Sequence, residues 1–265
     1  MVETVKGLVI REVSYGESDK IIDLMTESGI RAVCVRGVRK PGSKYAAVTQ
    51  LFSYGEFCLR QTRGRYYLDS AAPAAFFYGL GTDLTKLALA SYFSELIRKT
   101  ATDQPQPQLL RLFLHCLHYL SEGTRDVMQI KAVFELRLVA ELGMMPDLVC
   151  CRCCMRYEPP GPILRIAAAD FICSDCCDET GPYDLPATTA ALQAARHSIY
   201  SEIDRLFAFR VKGESLRLFA LYAEQYLLHR LSDSFPTLRF FQELTGTEHD
   251  DRPAKYQTGE QEIYG

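Results

Sequence analysis

The apolar positions change period once along the chain. Up to about residue 78 they fall in short runs, Thr4 to Val13, Lys20 to Thr26, Ile30 to Gly37, Gln50 to Gln61 and Arg65 to Ala72, rich in Val, Ile, Leu, Tyr and Phe. The stretches between them, SYGES, ESG, RKPGSK and TRG, supply the Gly, Ser and Pro that turns need. Five strands this short predict a small closed barrel of OB type, whose loops and one face commonly hold single-stranded nucleic acid. Periodicity alone also admits an SH3-like barrel.

From about Gly79 the period becomes helical. Leu89, Tyr92, Phe93 and Leu96 fall at i, i+3, i+4 and i+7, as do Leu110, Phe113, Leu114 and Leu117, and Ile130, Phe134, Leu138 and Leu142 recur every fourth residue. ATDQPQPQ separates the first helix from the second and SEGTRD the second from the third. Two more helices are predicted at about 188–209 and 214–232, the latter with Leu216, Phe219, Ala220, Ala223 and Leu227 on one face. The pattern therefore predicts an α+β chain. Residues 1–78 form the five-stranded barrel, 79–147 and 181–245 the two parts of an all-helical domain, 148–180 a cysteine-rich insertion, and 246–265 an acidic tail. That tail has few apolar residues and a net charge of −3, a composition that predicts disorder.

The insertion is the most chemically committed stretch. CCRCC, eighteen further residues and CSDCC bring seven of the ten cysteines into residues 150–177. Two Cys-x-x-Cys pairs across a loop of this length suit a tetrahedral four-thiolate zinc site. The first pair can be Cys150/Cys153 or Cys151/Cys154, with Cys173/Cys176 favoured for the second. Disulfides or a cluster of unpaired thiols are the alternatives. The opening VETVKGLVI has neither the charged nor the apolar region of a secretory signal, so reduced thiols and metal are expected. Four thiolates leave no position for water, which makes the expected ion structural rather than catalytic.

Charge is uneven. Residues 1–78 carry 11 Lys/Arg against 8 Asp/Glu, a net of +3, and the remainder a net of −6. No acidic residue occurs between Ser28 and Gly55, a window holding Arg31, Arg36, Arg39, Lys40 and Lys44. Such a gap suggests a polyanion-facing surface, against the alternative of an ordinary solvated loop. Arg60, Arg63 and Arg65 extend it from the next hairpin, and Tyr45, Phe52, Tyr54, Tyr66 and Tyr67 are interleaved with the charge. Phe52 and Tyr45 are read as core. Adjacent Tyr66 and Tyr67 must point to opposite barrel faces, so one is core and the other a candidate stacking platform, Tyr66 being taken into the candidate set.

Several function classes are excluded or weakened. At 48% hydrophobic and 24% charged residues the chain is a folded protein, without the roughly 18 consecutive apolar residues of a membrane span. It has no phosphate-cradling GxxxxGK[ST] and no GxSxG elbow. His115 and His118 lack the Glu of a zinc-protease pattern. A zinc-dependent nucleotide deaminase needs His-x-Glu or Cys-x-Glu followed by a cysteine pair. Cys177-Asp178-Glu179 matches the first half, but no cysteine pair follows it. No enzymatic site is predicted.

GLVIREVSYGESDKIIDLMTESGIRAVCVRGVRKPGSKYAAVTQLFSYGEF resembles the start of the RecO family of bacterial recombination mediators, above all in YGESDKI and RAVCVRGVRKPGSK. Further on, ELGMMPDLVCCRCC is similar to the family's Gly-x-x-Pro-x-Leu approach to its zinc element, and DFICSDC to the second cysteine pair. The likeness covers roughly residues 4–245. Aligning PDL selects Cys151 and Cys154, so the resemblance implies one Zn2+ on Cys151, Cys154, Cys173 and Cys176. Two departures stand out. Met155 occupies the place of a family Gly, and the run AAADFI replaces a Gly-Gly before the third cysteine.

The resemblance implies an OB barrel followed by a helical domain with a zinc module. It also implies a non-enzymatic protein, cytoplasmic and nucleoid-associated, that binds single- and double-stranded DNA and anneals complementary strands. Its implied partners are RecR, with which it helps load the RecA recombinase, and the C-terminal tail of the single-strand-binding protein. Arg31, Arg36, Arg39, Lys40, Lys44, Arg60, Arg63, Arg65 and Tyr66 would meet the DNA. Arg205, Arg210, Lys212, Arg217, Arg230 and Arg239 could rim an apolar pocket for the acidic tail. The alternative is a zinc-ribbon adaptor whose helices do the work and whose barrel is scaffold.

Overall fold

In a computed structural model of the protein, residues 2–102 and 104–247 are described. The chain divides into two compact units, residues 1–124 and 125–265.

In the first unit, β1 (Val2–Tyr15), β2 (Asp19–Thr26), β3 (Gly29–Val35), β4 (Tyr54–Thr62) and β5 (Arg65–Ala75) close a barrel in the order β1-β2-β3-β5-β4. β3 and β5 run parallel and the other neighbours antiparallel, the OB connectivity. β1 makes the closure. Its residues 2–8 pair with β4 and its residues 7–15 with β2, the register shifting between Val9 and Arg11. Where the two ladders overlap, Gly7 faces Gly55. A Cβ on Gly7 would lie 2.7 Å from Leu24 Cγ, and one on Gly55 2.5 Å from the Ala72 carbonyl, so the tightest bend of the barrel admits no side chain.

The barrel interior follows the period-2 alternation of the strands. Val9, Ile22, Leu24, Val33, Phe57 and Leu59 are fully buried, each worth about 1.5–3 kcal/mol relative to exposure. The expected start of β4 at Gln50 is displaced to Tyr54. Phe52 adopts φ 64, donates its amide to Val9 O at 2.8 Å, and leads into Ser53, whose carbonyl accepts from Val9 N at 2.9 Å. These bonds fold residues 50–53 across β1 instead of into the ladder.

Two helices complete the unit, α1 (Leu84–Thr100) and α2 (Pro107–Glu122). Asp83 caps α1 by accepting from the Thr85 and Lys86 amides, and Pro107 opens α2 where its missing N–H costs nothing. Phe52 meets Phe113 of α2 edge-on at 6.3 Å, and Phe113 meets Phe93 of α1 at 6.2 Å. The core reading of Phe52 holds.

The second unit contains α3 (Val127–Glu141), α4 (Thr189–Tyr200), α5 (Gly213–Leu231) and α6 (Pro236–Thr245). Between α3 and α4 lies a small antiparallel sheet that periodicity did not predict: β6 (Pro162–Arg165) flanked by β7 (Asp170–Cys173) and β8 (Asp184–Pro186). α4 ends at Tyr200, not near 209, where side chains of α3 and of Arg125 just before it bond the carbonyls of the following stretch. Arg137 donates to Ile199 O and Ser201 O at 2.8 Å, Arg125 to Phe207 O, and Gln129 to Phe209 O. α6 was not anticipated as a separate helix.

The core of this unit holds a buried charge cluster. Lys131 on α3 is fully buried and pairs with Glu135 at 2.7 Å and Glu224 of α5 at 2.6 Å, while Gln242 of α6 donates to the other Glu224 oxygen at 2.7 Å. Burial opposes the Lys131 charge, but the two carboxylates outweigh it and hold its pKa above the ordinary value. Of the expected tail, residues 248–265 lie outside the described residues.

Candidate nucleic-acid interface and cysteine cluster

Register places the candidate DNA residues on two sides of the barrel wall. Val33 and Val35 point inward, and Arg31 shares their parity. Its guanidinium pairs with Glu3 at 2.7 Å, donates to the Tyr66 hydroxyl and lies 4.9 Å over the Tyr66 ring. Tyr66 packs against the barrel core. Arg31 and Tyr66 therefore form one network inside the wall.

The next residue on each strand faces out. Cys34 on β3 pairs with Tyr67 on β5, and Tyr67 pairs with Arg60 on β4, so Cys34, Tyr67 and Arg60 form one outward row across three strands. The Arg36 guanidinium sits 4.6 Å over the Tyr67 ring. Burial raises the Cys34 thiol pKa and Asp19 adds to it, while the charges of Arg36 and Arg65 pull the other way; Arg65 shares the parity of Tyr67 on β5. Arg60 is held by Asp69 at 3.0 Å but remains half exposed. Tyr67 is the aromatic that the candidate set lacked, and the alternation of Arg31, Val33 and Val35 was the available signal for which tyrosine points where.

The remaining cations lie on two connections. Arg63 and Gly64, at φ 52 and 76, form the tight turn between β4 and β5, and Arg65 follows them, all exposed. Arg39, Lys40 and Lys44 are exposed on the β3–β4 connection. Arg39 bonds Gly16 O at 3.3 Å, and Lys44 lies 4.7 Å over the Tyr45 ring. Gly37 N donates to Asp19 at 2.7 Å and Tyr45 OH to Asp69 O at 3.0 Å, which pins this connection to the barrel. Tyr45 packs on the core, as expected.

The cysteine cluster lies in the second unit. The sulfurs of Cys151, Cys154, Cys173 and Cys176 all lie within 4.8 Å of one another, a set that could hold a metal ion. Cys173 Sγ is 3.7 Å from Cys151 Sγ and from Cys154 Sγ. Zinc–thiolate bonds of about 2.3 Å at tetrahedral angles put sulfurs about 3.8 Å apart, whereas a disulfide needs about 2.05 Å. The donor set fits zinc. Cys151 and Cys173 are fully buried, and the Cys173 amide donates to Cys151 Sγ at 3.3 Å. Burial pushes the Cys151 thiol up, but amide donors from Cys154, Cys153 and Cys173 outweigh it and hold the pKa at about 6. Shared protons with Cys173 and Cys154 push Cys176 up.

The other three cysteines stand aside. Cys150 lies 3.8 Å from Met155 Sδ, Cys153 is exposed, and Cys177 donates to Glu179 O at 3.4 Å. Cys177 thus does not complete the deaminase pattern. Met155 and Ala169 both hold left-handed backbone, at φ 60 and 59, a region that Gly enters at no steric cost.

A cleft of about 740 Å³ opens beside α4. Val149, Tyr157, Tyr200 and Phe209 give it an apolar wall, and Arg196, Arg210 and Lys212 line it. Of the six basic residues expected at a peptide pocket it thus has Arg210 and Lys212. Arg217 is paired with Glu214, and Arg230 donates to Ile166 O.

A closed OB-type barrel, helices and a four-cysteine cluster are the parts that the resemblance to recombination mediators implies, and the comparisons agree. Residues 1–77 match the family described as Recombination protein O N terminal, and residues 81–239 the one described as Recombination protein O C terminal. The chain belongs to the RecO family. It is 30% identical over 240 residues to the DNA repair protein RecO of Acetivibrio thermocellus, covering 90% of this chain and 95% of that protein. It is 32% identical over 234 residues to the RecO of Bacillus subtilis, covering 85% and 90%, and 34% over 212 residues to that of Bacillus pumilus, covering 79% and 82%. No helix among the described residues is long and apolar enough to cross a membrane.

Proposed function

We propose that this protein is a cytoplasmic, nucleoid-associated recombination mediator that binds single- and double-stranded DNA on its barrel and anneals complementary strands. With RecR it would then help load RecA onto DNA coated by the single-strand-binding protein. The observation that carries the DNA reading is the outward row Cys34–Tyr67–Arg60 with Arg36 stacked on Tyr67, adjoining the acid-free segment from Ser28 to Gly55 to which Cys34 and Arg36 belong. Arg36, Arg39, Lys40, Lys44, Arg60, Arg63 and Arg65 neutralise phosphates without reading sequence. Tyr67 offers a base its ring, and Arg31 with Tyr66 holds the wall from within.

In this reading residues 1–78 are the DNA-binding domain and 148–180 a zinc element, with one Zn2+ on Cys151, Cys154, Cys173 and Cys176 serving structure alone. Residues 79–147 and 181–245 present partner surfaces, and 246–265 is an acidic tail. The cleft at Arg210 and Lys212 suits the acidic tail of the single-strand-binding protein, and it also favours the second reading, a partner-binding adaptor. Titration of labelled single-stranded DNA, then addition of the complement, separates the two: binding followed by strand pairing supports the mediator, and neither supports the adaptor.

A further inference from the structure

The outward row of the barrel does not stop at Cys34. Register carries it on across β2 and β1, because Cys34 pairs with Ile21 and Ile21 with Val13. Val13, Ile21, Cys34, Tyr67 and Arg60 therefore form one line over all five strands, apolar or aromatic except at its Arg60 end. Val13 is 41% exposed, and Ile21, Cys34 and Tyr67 are each partly exposed, so the line is open along its length. A nucleic-acid strand with a phosphate at Arg60 and its bases on this line needs a second cation at the far end.

Two cations stand there. Arg11 on β1 pairs in register with Asp23 on β2, two residues along from Val13 and Ile21 and on the same outward face. Arg98, in the last turn of α1, reaches the same carboxylate. Arg11 Nη1 and Arg98 Nε each lie 3.5 Å from one oxygen of Asp23, Oδ2. Two cations thus share one anion, and neither arginine has another ion pair among the described residues. Both contacts are long beside the 2.7 Å of Arg31 to Glu3, and well-formed charge-assisted bonds run at about 2.7–2.9 Å. The arginine side chains stay open to solvent, at 47% and 39%, with Asp23 between them. A phosphate offers the two planar guanidiniums more acceptor oxygens than this carboxylate does. Exposed ion pairs add little to stability, so exchanging one anion for the other costs the fold little.

We propose that Arg11 and Arg98 form a second phosphate site on the outward face, and that Asp23 fills it in the free protein as an internal competitor that a bound strand displaces. The strand then crosses the barrel wall from Arg60 and Tyr67 to Arg11. Three strand spacings of about 4.8 Å separate β5 from β1, a path of about 14 Å. At about 3.4 Å per nucleotide of one strand that is about four nucleotides, within the roughly 4–16 that an OB fold occupies. The inference rests on the DNA-binding reading and adds to it a direction for the strand and a restraint on its affinity.

Anisotropy titration of a labelled thymidine oligonucleotide with the full chain, over a series of salt concentrations, tests it. Arg11→Ala/Arg98→Ala should weaken binding and make the slope of log affinity against log salt shallower by about 0.7, one phosphate contact on a single strand. Asp23→Asn should do the opposite and tighten binding by about threefold or more, a gain that a folding defect cannot imitate. The two effects should be coupled, so that Asp23→Asn gains less than about 1.5-fold where both arginines are already Ala. Unchanged or weaker binding by Asp23→Asn, a gain that persists without the arginines, or an unaltered slope in the double variant overturns the proposal while the unmodified chain still binds. If the unmodified chain binds no DNA, the mediator reading falls and the inference with it.

Discussion

The Arg36 guanidinium lies 4.6 Å over the ring of Tyr67, on the outward row of the barrel, while Arg31 and the preceding tyrosine, Tyr66, are joined on the inward side. Two Arg–Tyr pairs built on adjacent tyrosines thus have opposite consequences. Tyr67 is half-buried, and stacking a base on an aromatic ring contributes about 1–3 kcal/mol. Tyr67→Ala is accordingly expected to weaken single-strand binding about 5- to 150-fold in a fluorescence titration, with little change in melting temperature. Tyr66→Ala and Arg31→Ala are expected to do the reverse. Equal effects of Tyr66→Ala and Tyr67→Ala on binding would remove the assignment of faces.

The four-cysteine cluster yields a composition and a stability. Elemental analysis of freshly purified protein is expected to find about one zinc per chain. Cys151→Ser removes a buried ligand held by the Cys173 amide, so it should lose the metal and lower the melting temperature, whereas Cys150→Ser and Cys177→Ser should retain both. Metal bound in Cys151→Ser and absent from Cys150→Ser would transfer the site to the other register.

Met155 and Ala169 occupy left-handed backbone that costs a side chain about 1–2 kcal/mol. Met155→Gly and Ala169→Gly should each raise stability, by about 1 kcal/mol less the entropy that glycine returns to the unfolded chain. Thermal melts at saturating zinc measure it, and a drop in both would mean that side-chain packing outweighs the backbone term.

Lys131 balances two carboxylates in a dry core. Lys131→Met leaves Glu135 and Glu224 without their cation and is expected to cost about 3–5 kcal/mol in denaturant unfolding. The raised Lys131 pKa also fixes a sign. Its contribution is fully present below the unfolded-state pKa of about 10.4 and is lost as pH rises through the folded value, so the destabilisation should shrink at strongly alkaline pH.

The barrel was legible in the sequence because strand alternation and turn residues agree over residues 4–72, and the cysteine spacing announced a four-thiolate cluster but left Cys150/Cys153 and Cys151/Cys154 both open until the family resemblance chose between them. The length of α4 was not. Residues 201–209 keep helical composition, but Arg137 and Gln129 of α3 and Arg125 just before it bond carbonyls in this stretch, and side-chain competition from so far along the chain leaves no local signal. The sheet β6–β7–β8 was missed because three- and four-residue strands fall below any detectable period. For the DNA face, charge identified the segment, whereas only register separated Arg31 and Tyr66 from Arg36 and Tyr67.

The central claim is that the outward barrel row and its flanking cations hold single-stranded DNA through phosphate neutralisation. Titrating labelled single-stranded DNA across salt, for the unmodified chain and for Arg36→Ala/Arg39→Ala/Lys40→Ala, tests it directly. Each lost phosphate contact on a single strand lowers the slope of log affinity against log salt by about 0.7, so the triple variant should bind more weakly with a slope shallower by about 2. Unchanged affinity and slope in a variant that melts like the unmodified chain would contradict the account.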